Sequence, residues 1–125
     1  DTGGYAGVAL DILEAVNSTT TKRIVVSMSN NGTLDFLRPD DVIEISCDLS
    51  KDGLKPVTPK HVPTAQKNMI ASVKEYERLA VAAILQRDKS LAIRALMAHP
   101  LVGSYSLAKT LVEAYLDDKQ FADWR

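Results

Sequence analysis

The strongest constraint on the fold is a strict alternation of apolar and polar residues through positions 41–49. The segment runs from Asp41 to Leu49. Its apolar residues are Val42, Ile43, Ile45, Cys47 and Leu49, and Glu44, Ser46 and Asp48 lie between the last four. This period of two predicts a half-buried β-strand whose odd positions face the core. The following Lys51-Asp52-Gly53 is a hairpin signal, and Leu54–Val57 is the predicted return strand. Pro56 confines that return strand to a sheet edge.

The other predicted elements divide the chain into a strand-rich first half and a helical second half. Residues 8–16 have helical spacing and predict a short, well-buried helix, and Arg23–Met28 predicts a strand. Asn30-Asn31-Gly32 predicts a turn. A helix of about 20 residues is expected after Pro63 in its first turn, with core face Met69, Ile70, Val73, Tyr76, Leu79, Ala80, Ala83 and Ile84. A second helix begins at an Asp88 cap and stops at His99-Pro100, and a third follows Ser104 with the face Leu107, Ala108, Leu111, Ala114 and Tyr115. We therefore predict one α+β domain over residues 1–125.

Composition excludes several classes of protein. The 125 residues are 46% apolar and 25% charged, which is typical of a soluble globular domain and not of a disordered chain. Fifteen basic and sixteen acidic residues without a basic block argue against nucleic-acid binding. A membrane span or signal peptide is not expected, because no apolar run approaches roughly 18 residues. The single cysteine, Cys47, fits a reducing compartment, so we expect the cytoplasm.

Residue spacing alone predicts no catalytic, cofactor or metal site. His61 and His99 lack neighbours at metal-ligand spacing, so His61 is predicted to be solvated and His99 to contact the last carbonyls of its helix. Cys47 and Tyr76 are expected to be core residues. Glu77 and Arg78 are expected to make a salt bridge or a helix-cap contact. Residues 2–7 are glycine-rich but lack the G-x-G-x-x-G pattern. They are either a flexible loop, the favoured interpretation, or a set of amides that cradles an anion.

Several motifs in fixed order nevertheless resemble a known family. They are Gly3-Gly4-Tyr5 leading into Val8–Ile12, Ser29–Gly32, Pro39–Cys47, Lys74–Ala80 and His99–Val102. Together they resemble the C-terminal domain of the family 4 glycoside hydrolases over essentially the whole chain. The His99-Pro100-Leu101 form is most similar to the 6-phospho-β-glucosidase branch, with the α-glucosidase and α-galactosidase branches as alternatives.

The resemblance implies a division of labour between two domains. It implies a fold like the C-terminal domain of lactate dehydrogenase here, and a Rossmann-like domain before Asp1 that holds NAD and a divalent metal, usually manganese. In the family, hydride leaves C3 of a 6-phospho-sugar, the C2 proton is removed, the aglycone is eliminated, and water and hydride are added back. Such enzymes do not use a carboxylate pair.

For this chain the resemblance implies a domain that carries no catalytic, cofactor-binding or metal-binding residues. We expect the isolated chain to be inactive, with its own N-terminal domain as partner and a homodimer or homotetramer as the assembly. Gly3, Tyr5, Asn30 and Asn31 are the candidates for lining the substrate pocket, although Gly4–Gly7 departs from the aromatic run of relatives. The alternative from a different class is a stand-alone binding or oligomerisation module.

Overall fold

The computed structural model describes residues 4–124, apart from the side chain of Gln120. The chain divides into two compact units, residues 1–61 (unit 1) and residues 62–125 (unit 2). Unit 1 contains α1 (Tyr5–Asn17), β1 (Lys22–Ser29), β2 (Val42–Ser50) and β3 (Gly53–Pro56). Unit 2 contains α2 (Thr64–Gln86), α3 (Lys89–Ala98), α4 (Tyr105–Tyr115) and a 3₁₀ turn (Lys119–Phe121). The predicted α+β class, with a small antiparallel sheet and packed helices, is confirmed.

The sheet of unit 1 is antiparallel, with strand order β1-β2-β3. The predicted inward positions of β2 are buried, and Cys47 is completely so. The hairpin is also confirmed, since Gly53 has a φ of +109° at the reversal. Pro56 pairs with Cys47 on the outer strand, where a missing N–H costs no ladder hydrogen bond.

Helix α1 differs from its prediction in extent and burial. It begins at Tyr5, so the segment interpreted as a flexible loop forms the first helical turn, after Gly4 with a φ of +82°. Ala15 is its one buried residue, whereas Val8 and Leu13 are more than half exposed. The prediction of a well-buried helix was therefore wrong. Apolar residues spread around much of the helix circumference, and unit 1 covers one side.

The predicted starts of α3 and α4 and the predicted end of α3 are confirmed. The Asp88 side chain caps α3 by accepting from the backbone N–H groups of Ser90 at 2.7 Å and Leu91 at 3.1 Å. Ser104 caps α4, its hydroxyl accepting from Leu107 N–H. Pro63 lies one residue before α2 rather than in its first turn. No helix in the described part of the chain combines the length and hydropathy of a membrane span.

One side-chain prediction in unit 2 is confirmed and one needs correction. Glu77 forms a salt bridge with Lys74 at 2.6 Å, and Arg78 forms one with Glu75 at 3.0 Å, since residues three apart share a helix face. The His99 ring accepts through Nδ1 from the Leu101 N–H at 3.2 Å instead of contacting the last carbonyls.

The predicted face of α4 was partly wrong. Ala108 and Val112 are buried, whereas Leu107, Leu111 and Tyr115 remain 46%, 44% and 77% exposed. The buried pair lies four residues apart, the spacing that places two side chains on one helix face.

Candidate functional site

The candidate site is the loop that joins β1 to β2, residues 30–41, which we call the Asn30 loop. It opens with a reversal in which Asn31 has a φ of +45° and Gly32 a φ of +84°. The Thr33 N–H donates to the Asn30 carbonyl at 2.8 Å and closes the turn. Positive φ at both central residues is the type I′ arrangement, for which Asn-Gly is the preferred sequence. The predicted turn is confirmed.

The side chain of Asn30 is completely buried and holds the loop from inside. Its Nδ2 lies 2.9 Å, 3.2 Å and 3.1 Å from the carbonyl oxygens of Leu34, Leu37 and Arg38, and donates to them. Its Oδ1 accepts from the Leu34 N–H at 2.7 Å. Both ends of the amide are therefore used within the loop, which satisfies backbone groups that no strand or helix pairs.

The two ends of the Asn30 loop are fastened to each other. The Asn30 N–H donates to the Asp41 carbonyl at 2.7 Å, and the Asn31 N–H donates to the Pro39 carbonyl at 2.9 Å. Asp41 is 7% exposed, and its Oδ2 accepts from the Arg38 N–H at 2.9 Å. The loop thus has a fixed path on both sides of its tip.

Apolar contacts attach the same loop to the core of unit 1. Leu34 and Leu37 pack against the buried cluster of Ile43, Ile45 and Cys47. The loop is therefore held by packing against this cluster and by the hydrogen bonds of Asn30. Its tip, at Asn31 and Gly32, is the exposed part of the turn.

The predicted pocket residues have very different surroundings. Asn31 presents an exposed side chain at the loop tip, and Tyr5, 97% exposed, begins α1. Asn30 and Asn31 are neighbours because they are adjacent in the sequence. Gly3 lies outside the described residues. Asn30 stays a predicted pocket residue, but its side chain forms its hydrogen bonds within the loop.

Asp41 is the site residue that sequence reasoning missed, although the alternation of β2 contained the signal. Position 41 continues the odd-numbered series that faces the core, so the pattern predicts an inward carboxylate there. A buried carboxylate requires a hydrogen-bond donor, and the donor at Oδ2 is the Arg38 N–H of the loop.

Exposed ion pairs of unit 1 shift the pKa values of some of their members. Arg23 faces Asp48 across the β1–β2 ladder, with Nε to Oδ1 at 2.9 Å and Nη2 to Oδ2 at 3.2 Å. Hydrogen bonding to Arg23 lowers the pKa of Asp48. Lys22 contacts Glu14 at 3.0 Å and Asp11 at 3.3 Å, and hydrogen bonding, first to Glu14, raises its pKa.

The described residues do not provide a metal site. Within residues 4–124, no group of three His, Cys, Asp or Glu residues is arranged to hold an ion. Cys47 is buried with its Sγ 3.5 Å from the Met28 Sδ, as expected for a core cysteine. His61 is exposed, as predicted.

Unit 2 contains an open apolar groove of about 680 Å³. It is lined by Tyr76, Ala80, Ala83, Ile84, Ala92, Ala95, Leu96, Leu111, Val112, Tyr115, Leu116, Phe121 and Trp124. Among the described residues no charged side chain lines it, so it suits an apolar surface and not a phosphorylated sugar.

Comparison with known proteins agrees with the resemblance seen in the motifs. The 6-phospho-beta-glucosidase BglT of Thermotoga maritima is 32% identical over 113 residues, covering 90% of this chain and 27% of that protein. The phospho-alpha-glucosidase PagL of Clostridium acetobutylicum is 25% identical over 117 residues, covering 94% of this chain and 26% of that protein.

A solved structure of the T. maritima 6-phospho-beta glucosidase with manganese, NAD+ and glucose-6-phosphate is similar to this chain. The similarity covers 96% of this chain and 30% of the chain in that structure. Its TM-score is 0.75 at 30% identity. The chain spans about a quarter of the length of the curated relatives it matches. The family model for the family 4 glycosyl hydrolase C-terminal domain matches residues 1–102. The chain therefore belongs to glycoside hydrolase family 4, within the family's C-terminal domain.

Proposed function

We propose that this chain is the C-terminal domain of a cytoplasmic 6-phospho-β-glucosidase whose N-terminal domain binds NAD and a divalent metal. The match of residues 1–102 to the family's C-terminal domain carries the proposal. The 32% identity to a 6-phospho-beta-glucosidase favours the β branch. The manganese, NAD+ and glucose-6-phosphate named for the T. maritima structure support the cofactor and substrate class.

The chemistry of the described residues supports a substrate-side role. They fit neither NAD nor a metal ion, because the glycine-rich start lacks the G-x-G-x-x-G pattern and no ligand group is assembled. Asn31 offers an amide that both donates and accepts, which suits sugar hydroxyls, and Asn30 holds the backbone of the loop that carries it. Tyr5 offers an exposed ring, and Gly3 remains a candidate from the resemblance. A homodimer or homotetramer is part of the same proposal.

Activity measurements test the division between the two domains. The 125-residue chain is incubated with a chromogenic 6-phospho-β-glucoside, NAD and manganese, in parallel with the complete gene product. We expect turnover by the complete protein and none by the chain alone. Activity of the chain alone would contradict the proposal. In the complete protein, Asn31→Gly should raise KM for the sugar phosphate, and an unchanged KM would remove Asn31 from the pocket.

A 6-phospho-α-glucosidase is the second candidate, favoured by the 25% identity to PagL over 117 residues. Matched 6-phospho-α- and 6-phospho-β-glucosides distinguish the two branches in one assay. A stand-alone binding module is tested by the genomic sequence upstream of Asp1. A strand, a glycine-rich loop and a helix are expected there, and a start codon directly before Asp1 would favour the module.

A further inference from the structure

The tip of the Asn30 loop combines a reactive sequence with an exposed position. Asn31 is followed by Gly32, whose lack of a side chain leaves its backbone nitrogen open to approach. The Asn31 side chain is exposed. Within residues 4–124, no group accepts a hydrogen bond from the Gly32 N–H, and no group contacts the Asn31 amide by a hydrogen bond.

We propose that Asn31 is a site of spontaneous covalent modification, converting to a mixture of isoaspartate and aspartate. The Gly32 backbone nitrogen attacks Cγ of Asn31 and forms a new C–N bond. The bond from Cγ to Nδ2 breaks, and ammonia leaves with the proton lost from Gly32, which gives a five-membered succinimide. Water then opens the ring at either carbonyl. The net reaction consumes one water, releases one ammonia and needs no oxidant, enzyme or cofactor.

The surroundings of the turn decide how readily this occurs. Two hydrogen bonds hold it, from the Asn31 N–H to Pro39 and from the Thr33 N–H to Asn30, and neither uses the attacking nitrogen. The turn must open for attack, because the succinimide ring fixes the rotation about the Cα–C bond of Asn31, and these two hydrogen bonds restrict that rotation. Conversion is therefore slower than in an unstructured peptide but remains the fastest in the chain.

The other described asparagines provide internal controls. The Asn30 amide is completely buried in its hydrogen bonds. The Asn17 Nδ2 donates to the Leu13 carbonyl at 2.8 Å, and Ser18 follows it. Asn68 lies inside α2, where helical hydrogen bonding holds the backbone. None of the three precedes glycine.

The product changes both charge and chain path at the tip. Either isomer replaces a neutral amide with a carboxylate, and the isoaspartyl form adds a methylene to the backbone within a two-residue turn. The negative charge lies at the exposed end of a loop whose base is buried, so it alters the surface and not the core.

The test is a time course on the 125-residue chain in mildly alkaline buffer at physiological temperature. Peptide mapping by tandem mass spectrometry follows the amide-to-acid mass gain at every asparagine and separates the two acid isomers. We expect conversion at Asn31 to exceed that at Asn17, Asn30 and Asn68 by about tenfold or more. Asn31→Gly, which tolerates the positive φ, should remove the acidic species seen on ion exchange. The proposal is overturned if Asn31 stays intact while an unstructured peptide of the same sequence converts, or if another asparagine converts first.

Discussion

Replacement of Asn30 by alanine tests whether a single buried amide determines the path of the loop. The substitution removes the donor shared by the carbonyls of Leu34, Leu37 and Arg38, and the acceptor of the Leu34 N–H. Each net hydrogen bond contributes about 0.5–1.5 kcal/mol, and an unsatisfied buried group costs about 1–3 kcal/mol. Because loop relaxation and water recover part of this, we expect a loss of about 2–4 kcal/mol in the free energy of unfolding.

The measurement combines urea unfolding with amide hydrogen exchange. Circular dichroism gives the free energy, and exchange identifies the amides that lose protection. In Asn30→Ala, the Leu34 and Asn31 amides should exchange faster. The matched control is Asn31→Gly, which keeps the positive φ and should change stability by less than about 0.5 kcal/mol. Fluorescence of Trp124 reports separately on unit 2.

A second variant separates hydrogen bonding from packing. Asn30→Asp keeps the size and the acceptor for Leu34, but it places a carboxylate oxygen against three carbonyls. The fold then favours the neutral acid and raises the pKa of the introduced carboxyl, so the variant should gain stability as pH falls through that pKa. The reasoning is refuted if Asn30→Ala loses less than about 0.5 kcal/mol, or if Asn30→Asp matches the wild type at neutral pH.

Three further predictions concern a helix cap, a surface pair and the apolar surfaces. Asp88→Ala should cost about 1 kcal/mol by thermal melting because it leaves two N–H groups without their cap, and Asp88→Ser should restore most of it. Because Arg23 lowers the pKa of Asp48, this carboxylate stabilises the fold above its unfolded pKa of about 3.9. Melts across acid pH should show the wild-type advantage over Asp48→Asn disappearing as pH falls, and a constant difference would contradict this. Light scattering should show concentration-dependent association, reduced by glutamate at Ile84 and Leu85, which are 62% and 79% exposed. A monomer at all concentrations would contradict it.

Rules based on neighbouring residues were sufficient to predict the strand β2 and the helix caps, whose side-chain burial and hydrogen bonds depend on residues close in sequence. The alternation of β2 determines which side chains are buried, and Asp88 and Ser104 cap helices through hydrogen bonds within three residues. These features depend on atoms close in sequence. They are therefore readable from the sequence without knowledge of the remaining chain.

The features that the sequence did not predict concern the burial of helix surfaces and the path of the Asn30 loop. The apolar residues of α1 indicate a helix but not what covers it, and unit 1 buries Ala15 while leaving Val8 and Leu13 exposed. The amide of Asn30 reaches residues four to eight positions ahead, so its role depends on a loop path that no periodicity encodes. The family resemblance added the identity of the domain but no coordinates for its side chains.

The buried amide gives a physical reason why the Asn30 loop suits the recognition role that we propose for Asn31. Ordering one backbone residue costs about 1–2 kcal/mol, so a flexible loop would spend much of its binding energy on becoming ordered. Here Asn30, Asp41, Leu34 and Leu37 impose that order during folding, before any ligand is bound. If Asn31 contacts a sugar phosphate, as we propose, its backbone is already in place when the substrate arrives, and only its side chain has still to be ordered. Loss of the Asn30 amide should then weaken substrate binding through the loop while leaving the Asn31 side chain itself intact.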